Sequence, residues 1–478
     1  MKGQIGRRRF IKTSALTGAM ILGSQFKSSS VFAKKPGALR VPIPDEPLTK
    51  EDYLALKAEA EKTFEANRAE LNGYIFHMPS KGTYPSLFAW DSGWHTIGMN
   101  RIDPKIAASE VEFLMLQQRP DGRVPHEVQF PELQPKQDIY HKLGNRLSRD
   151  QFQGTVSVQV DPPSFIISAE KIFNNTQDRA WLERLLPRFE NAIQYLTKTR
   201  DFFKTGLPCI VHPWESGTDS SPAYDEIIKL DYSNPLGGPQ RMLLYPAMFT
   251  RQKKLGYDLE KIAEANEFIV EDMNMIAITI RAVIALSRMF EKVGDKQKAE
   301  HYRNQAKQMT ETIQKIHWDD SKGLFWSRYN LKSPKFAKRT TCASLLPIMS
   351  EYLPKDKAER IVKEHITNPE EFWLDYLISF NAKCELDREK IYWEDRLLWR
   401  GYCIWTNMNW MVCEGLLTHG YKDIARELTR RTAKMIRDQG FWEFYDCRTG
   451  QGKNAHPFNW PGVVLDMIHL TWPEVVQA

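Results

Sequence analysis

The sequence predicts an all-α fold in which helical hairpins close into a toroid, with long functional loops at one mouth. Three observations carry this. Apolar residues recur at helical spacing along most of the chain, strand-like alternation is scarce, and the connections are long and rich in Gly, Pro, Trp and Asp. A solenoid would also fit the helices, but no sequence repeat of fixed period is visible.

The elements follow in order. Thr49 is an N-cap candidate, with Glu51 and Asp52 placing acid in the first turn of a helix. Amphipathic segments then recur at roughly 105–118, 163–174, 179–198, 275–292, 296–316, 338–350, 355–366, 405–419, 421–438 and 461–470. Ile276, Ile280, Val283 and Ile284 mark the spacing within one of them. Alternation is confined to short stretches such as 153–160. The 478 residues are 42% hydrophobic and 12% aromatic, enough to build a large core and too apolar for a disordered chain. The 14 Trp fit either helix packing or a groove that stacks flat ligands. The six cysteines form no CxxC pair and read as buried small hydrophobes, with no pairing assigned.

Charge divides the chain. Six of the 66 Lys and Arg lie in residues 1–33, which hold no acid; the remaining 60 balance 60 Asp and Glu. No basic stripe is left for phosphates, so a nucleic-acid partner is not expected. The leader runs from Arg7-Arg8-Arg9-Phe10-Ile11-Lys12 through a short apolar stretch to Val31-Phe32-Ala33. It resembles a twin-arginine export signal, followed by an extended segment over 34–48 and one domain over 49–478. Its apolar stretch is too short to span a bilayer, which takes about 20 residues, and no later segment reaches that length without charges. No membrane anchor is expected, and the location implied is periplasmic or secreted.

Loops combining carboxylates with aromatics carry the chemistry. They are Phe88-Ala89-Trp90-Asp91-Ser92-Gly93-Trp94-His95, His212 to Pro222, and Gly440 to Gly450. A fourth element runs from Tyr392-Trp393 through Trp399-Arg400-Gly401 to Trp405 and Asn409. Aromatic faces stack on the C–H faces of a sugar ring, while Asp, Asn, Arg and indole N–H groups bind its hydroxyls. Cleaving a glycosidic bond needs one protonated carboxyl and one ionised carboxyl. Asp219, among Trp and Pro, and Glu443, flanked by Trp442, Phe444 and Tyr445, are candidates 224 residues apart. Each such acid also fits a buried structural hydrogen bond. His95, His126 and His212 lack metal-ligand spacing, and no metal or other cofactor is expected. Glu271-Asp272 reads equally as a helix start favoured by the dipole.

These loops in this order resemble glycoside hydrolase family 63, especially its bacterial mannosylglycerate- and glucosylglycerate-hydrolase-like members, related to trehalases and glucoamylases. The resemblance rests on WESGxDxSP at Trp214–Pro222, FAWDSGWH, WRG-x-x-W-x-N-x-N, and the last Glu-x-Tyr-Asp-x-x-Thr-Gly turn with Phe458-Asn459-Trp460. It covers about residues 84–470. It implies an (α/α)6 barrel and inverting hydrolysis of a small α-glucoside or α-mannoside, with Asp219 as general acid and Glu443 as general base. It also implies substrate contacts from Trp90, Asp91, Trp94, Gln118, Trp214, Glu215, Trp399, Arg400, Trp405 and Trp460. Glu215 stands as the rival acid, read as sugar-binding or supporting. Where relatives often carry Gln before a Pro-Pro pair, this chain reads Asp161-Pro162-Pro163, which makes an anionic glycerate aglycone less comfortable. Two other functions remain open at this point: a helical-toroid polysaccharide lyase, and a sugar-binding protein without catalysis. The oligomeric state is unassigned.

Overall fold

The structure, a computed structural model, describes residues 45–134, 148–231, 234, 236–386 and 398–477. The leader read over residues 1–33 lies outside them, as does Tyr392-Trp393.

Among the described residues, eleven α-helices have nine or more residues. In chain order they are α1 Lys50–Asn67, α2 Ala89–Met99, α3 Pro104–Leu116, α4 Ser164–Thr176, α5 Arg179–Gln194, α6 Gly237–Lys254, α7 Met273–Lys292, α8 Lys296–Ile316, α9 Thr406–Thr418, α10 Lys422–Gln439 and α11 Val463–Thr471. Six elements form an inner ring. Helix α2 packs on α4, α4 on α7, α7 on the 3-10 helix Cys342–Met349, that helix on α9, α9 on α11, and α11 back on α2. Outside them lie α3, α5, α8, residues 355–366, α10 and α1, each against its inner partner. The result is an (α/α)6 barrel.

Sequence explains the two rings. Every residue of α2 is buried, as are nearly all of α7, so a one-sided apolar stripe is not what an inner helix needs. The outer helices keep the stripe: in α10 Ala425, Leu428, Thr432, Ala433 and Ile436 face inward while Lys422, Asp423 and Arg437 fall in its terminal turns. Helix α1 starts with a capping box, the Thr49 side chain accepting from the Asp52 N–H and Asp52 accepting from the Thr49 N–H. Asp272 caps α7 through the Met275 N–H at 3.0 Å, so it marks a helix start as the sequence allowed. Helix α7 is long and apolar enough to cross a membrane, but lies inside the barrel wall.

Three expectations are corrected. The FAWDSGWH stretch is not a loop: after Phe88 it is the first turns of α2, which sequence periodicity misses because this helix is buried all round. Segment 338–350 is a 3-10 helix over Cys342–Met349 rather than an α-helix, with Pro347 inside it. Helix α6 was not anticipated; its first turn holds two glycines and Pro246 interrupts it. Around 153–160, alternation does give strands, at Phe152–Gln153 and Val156–Ser157. They join a four-stranded sheet with Leu87–Phe88 and Glu127–Val128.

The ring closes where α2 meets the chain before α11. A Cβ on Gly98 would lie 2.7 Å from the Gly462 carbonyl carbon, so neither backbone can retreat without parting the helices. Asn459 joins the two ends: its side-chain amide donates to the Met78 carbonyl at 2.8 Å, and its Oδ1 accepts from Asn67 at 2.8 Å. Gly98→Ala should therefore lower unfolding free energy by about 1–3 kcal/mol, as overpacking against backbone does. Gly82→Ala, whose methyl meets nothing within 4 Å, should stay within about 0.5 kcal/mol of the parent in the same urea titration.

Candidate active site

All four of the sequence-predicted motifs and the final Trp460 converge on one cavity of about 390 Å³. Trp90 and Asp91 enter it from the first turn of α2, Trp405 from the N-cap of α9, and Trp460 from the 3-10 turn before α11. Trp214, Gly217, Asp219, Trp399, Glu443 and Phe458 complete that side. The other wall carries Ser86, Glu127, Gln129, Gln134, Gln151 and His126.

Indoles make the floor. Trp399 stacks on Trp405 with centroids 3.9 Å apart and planes 10° from parallel, and Trp405 stacks in turn on Phe444. Trp90 meets Trp460 and Trp399 edge-on. Trp399 holds a left-handed φ of 69°, rare for a bulky side chain. The Asn381 side-chain amide spans this turn, donating to the carbonyls of Trp399 and Gly401.

Asp219 sits on a loop fixed by its own polar groups. Ser216 Oγ accepts the Thr218 N–H at 2.9 Å, and Tyr245 donates to the Asp219 carbonyl at 2.8 Å. Gly217, with φ 73°, passes the face of Trp90 so closely that a Cβ would lie 2.8 Å from the ring. The Asp219 carboxyl is buried, which raises its pKa to about 6 despite the Arg241 and His126 charges nearby. Arg241 approaches through Ser220, donating to its Oγ at 2.6 Å.

Glu443 is held differently. Its carboxylate accepts from Tyr84 Oη at 2.9 Å, Asn454 Nδ2 at 2.6 Å and the Ala455 N–H at 3.2 Å. Burial raises its pKa to about 7; the three donors oppose that rise and the Asp219 charge adds to it. Two carboxyls that feel each other in one cavity titrate as a pair and share about one proton near neutrality. Burial lifts Glu443 the higher of the two, which by itself would seat the proton there. The three donors on Glu443 favour its ionised form, and no described side chain donates to the Asp219 carboxylate. The hydrogen bonding, against that order, points the proton at Asp219.

Asp161 and His126 form a linked pair. His126 Nδ1 lies 2.7 Å from Asp161 Oδ1, while the other Asp161 oxygen accepts the Trp90 N–H at 3.0 Å. Burial opposes a charge on His126, yet Asp161 overcomes it and lifts the imidazole to about 9. Asp91 is pushed well up by burial and by Asp161.

Four of the residues expected at the substrate stand away from the cavity. Trp94 is wholly enclosed between Trp90 and Trp410. Gln118 donates to the carbonyls of Gly122 and Arg188, bracing its own loop. Glu215 makes a buried two-point ion pair with Arg200 and accepts the Val211 N–H at 2.7 Å, so it supports the loop rather than rivalling Asp219. Arg400 is buried against Asp225. His212 stacks on Phe249, and burial lowers its pKa to about 3, so it too serves packing. Sequence reasoning missed Tyr84 and Asn454. The second was findable: the hairpin pairs Phe444 with Lys453, so the next position along sets Glu443 beside Asn454.

Comparison with known proteins agrees with this geometry. A family model described as the mannosylglycerate hydrolase MGH1-like glycoside hydrolase domain matches residues 84–461. Mannosylglycerate hydrolase MGH1 of Selaginella moellendorffii is 26% identical, over 88% of this chain and 87% of that one. The mannosylglycerate hydrolase of Thermus thermophilus is 27% identical, over 80% of this chain and 94% of its own. The crystal structure of a GH63 mannosylglycerate hydrolase from Thermus thermophilus in complex with glucose superimposes with a TM-score of 0.71 at 25% identity, covering 87% of this chain and 100% of the other.

A carboxyl whose pKa rises on folding costs stability once it ionises, because the unfolded chain gives up its proton first. For Asp219 that cost appears as pH rises through about 6 and is absent below its unfolded value near 3.8. Asp219→Asn should thus be more stable than the parent at pH 8, by on the order of 2 kcal/mol. At pH 3.5 the difference should vanish in paired denaturation curves.

Proposed function

From the premise that this chain belongs to the mannosylglycerate hydrolase MGH1-like glycoside hydrolases, we propose that it is an exported, inverting α-glycosidase whose general acid is Asp219 and general base Glu443. Membership makes it a glycoside hydrolase acting on small glycosides; the stereochemistry, the residue roles and export are our reading. The single observation that carries the roles is the pairing of two buried carboxyls in one indole-walled cavity, with three donors on Glu443 and no described side-chain donor on Asp219.

The chemistry follows from that asymmetry. Asp219 gives its proton to the glycosidic oxygen as the bond to the anomeric carbon breaks, and its charge forms where Arg241 and His126 can offset it. Glu443, ionised, takes a proton from the water that attacks the opposite face of the ring, which inverts the anomeric configuration. Tyr84 and Asn454 aim the carboxylate. Trp90, Trp399 and Trp460 wall the space for an α-glucosyl or α-mannosyl ring, and the buried Trp405 indole N–H, without a partner among the described residues, is a donor for a hydroxyl. A lyase would need a Tyr or His base and an Arg at a uronate. Tyr84 is committed to Glu443 with its phenol pushed well up by burial, and no Arg lines the cavity among the described residues. A binding protein without catalysis would have no use for the paired acids. The leader over residues 1–33 supports export.

Proton NMR of the reaction should reveal β-configured sugar released first from an α-linked substrate. Asp219→Asn and Glu443→Gln should each lower kcat/KM about a thousandfold, and first release of α-sugar would refute inversion. Because activity needs one acid protonated and the other ionised, kcat/KM should peak between the pair's values of about 6 and about 7 and fall on both sides. In cells, replacing Arg7 and Arg8 by Lys should leave uncleaved precursor in the cytoplasm by fractionation.

A further inference from the structure

The two sides of the cavity differ in what they can bind. Trp399, Trp405 and Trp460 are almost wholly buried, whereas Gln129 and Gln134 are half-buried and lie toward solvent. For a glycoside whose sugar sits among the indoles, the polar lining left for its other half includes Ser86, Glu127, Gln129, Gln134 and Gln151. That lining offers amides and one buried carboxyl. Resting on the glycosidase reading above, we infer that this half of the cavity takes a neutral polyhydroxylated aglycone, a polyol or second sugar. It discriminates against a carboxylate there, with Glu127 and Gln151 as specificity-determining residues.

Hydrogen-bond inventory favours hydroxyls. Gln151 Oε1 is buried with no donor among the described residues. A hydroxyl can donate to it and a carboxylate cannot, so a carboxylate would leave that acceptor unmet. Amide side chains both donate and accept, which suits the dual character of a hydroxyl.

Charge argues the same way. Four carboxyls, Asp91, Glu127, Asp219 and Glu443, already line the cavity. Burial raises all four because an ionised carboxylate is poorly solvated there, a penalty that a further carboxylate would meet as well. Among the described lining residues the one cation is His126, and its counter-ion is in place: Asp161, fully enclosed, lies 2.7 Å from its Nδ1. Arg241 lies behind Ser220 rather than on the cavity wall. Glu127 holds its place by pairing with Phe88 across the sheet and by accepting from Gln129 Nε2 at 3.1 Å. Burial raises the Glu127 carboxyl while His126 opposes the rise. A carboxylate brought beside it would be desolvated in the same way and repelled whenever Glu127 is ionised.

The test is a matched pair: 2-O-α-D-glucosylglycerol against 2-O-α-D-glucosylglycerate, which differ by CH2OH in place of COO⁻, with the α-mannosyl pair alongside. The neutral member should have a kcat/KM at least about tenfold higher. Glu127→Gln should shrink that ratio at least about threefold, mainly through a lower KM for the glycerate. Equal or better turnover of the glycerate, or a ratio unmoved by Glu127→Gln, overturns the inference. Calorimetry with the Asp219→Asn chain reads the same preference in binding alone. Tighter binding of the glycerate member overturns the inference even if hydrolysis stands. Failure of hydrolysis across all four compounds counts against the glycosidase reading and leaves a measured binding preference intact.

Discussion

Gly98 against Gly462 is the contact on which the arrangement of the cavity depends. Without side chains there, the first and last inner helices meet backbone to backbone, and the ring of six shuts. Shutting it carries Tyr84 onto Glu443 across 359 residues of sequence and sets Trp90 edge-on to Trp460. No local interaction could do either. A chain of helical hairpins that stopped short of closure would keep most of its hairpin packing and lose the site, because the site's two halves come from opposite ends of the chain.

Closure also decides where chemistry can reside. The inner helices are buried on all sides, so only their ends are open. Trp90 and Asp91 in the first turn of α2, Trp405 before α9 and Trp460 before α11 place several N-termini at the same mouth. Elsewhere in the inner ring charges pair with one another: Lys171 of α4 with Asp466 of α11, and Arg281 of α7 with Glu170 of α4 and Glu414 of α9. Helix N-termini carry partial positive charge, which eases the crowding of Asp91, Asp161, Asp219 and Glu443. Burial still raises all four. The stability given up there is what leaves one acid able to hold a proton near neutrality.

Legibility in the sequence followed the physics of each element. Outer helices were readable because one face is wet and the other dry. Helix α2 was not, since Trp90, Trp94, His95 and Ile97 are all buried and leave no period to detect. The loops that bring Asp219 and Glu443 to one cavity stood out because each combines an acid with aromatics and tight turns. The resemblance placed ten further residues at the substrate, and Trp94, Gln118, Glu215 and Arg400 among them stand behind the wall instead. Motif residues are retained for holding a loop as much as for touching a ligand, and sequence does not separate the two. Tyr84 lies outside any motif and acts only through the tertiary contact that brings it to Glu443.

Asp161 shows how a single departure propagates. Read from sequence, an acid in place of a neutral amide added charge beside the sugar and made an anionic aglycone uncomfortable. In the fold one oxygen fixes the Trp90 backbone and the other faces His126, and the charge still reaches Asp91 and Asp219, whose carboxyls it helps to raise. What emerges at the surface is the imidazole, held in its charged form and oriented by the same contact. Asp161 therefore acts on Asp219 twice, raising that carboxyl through its own charge and lowering it through the imidazolium it sustains.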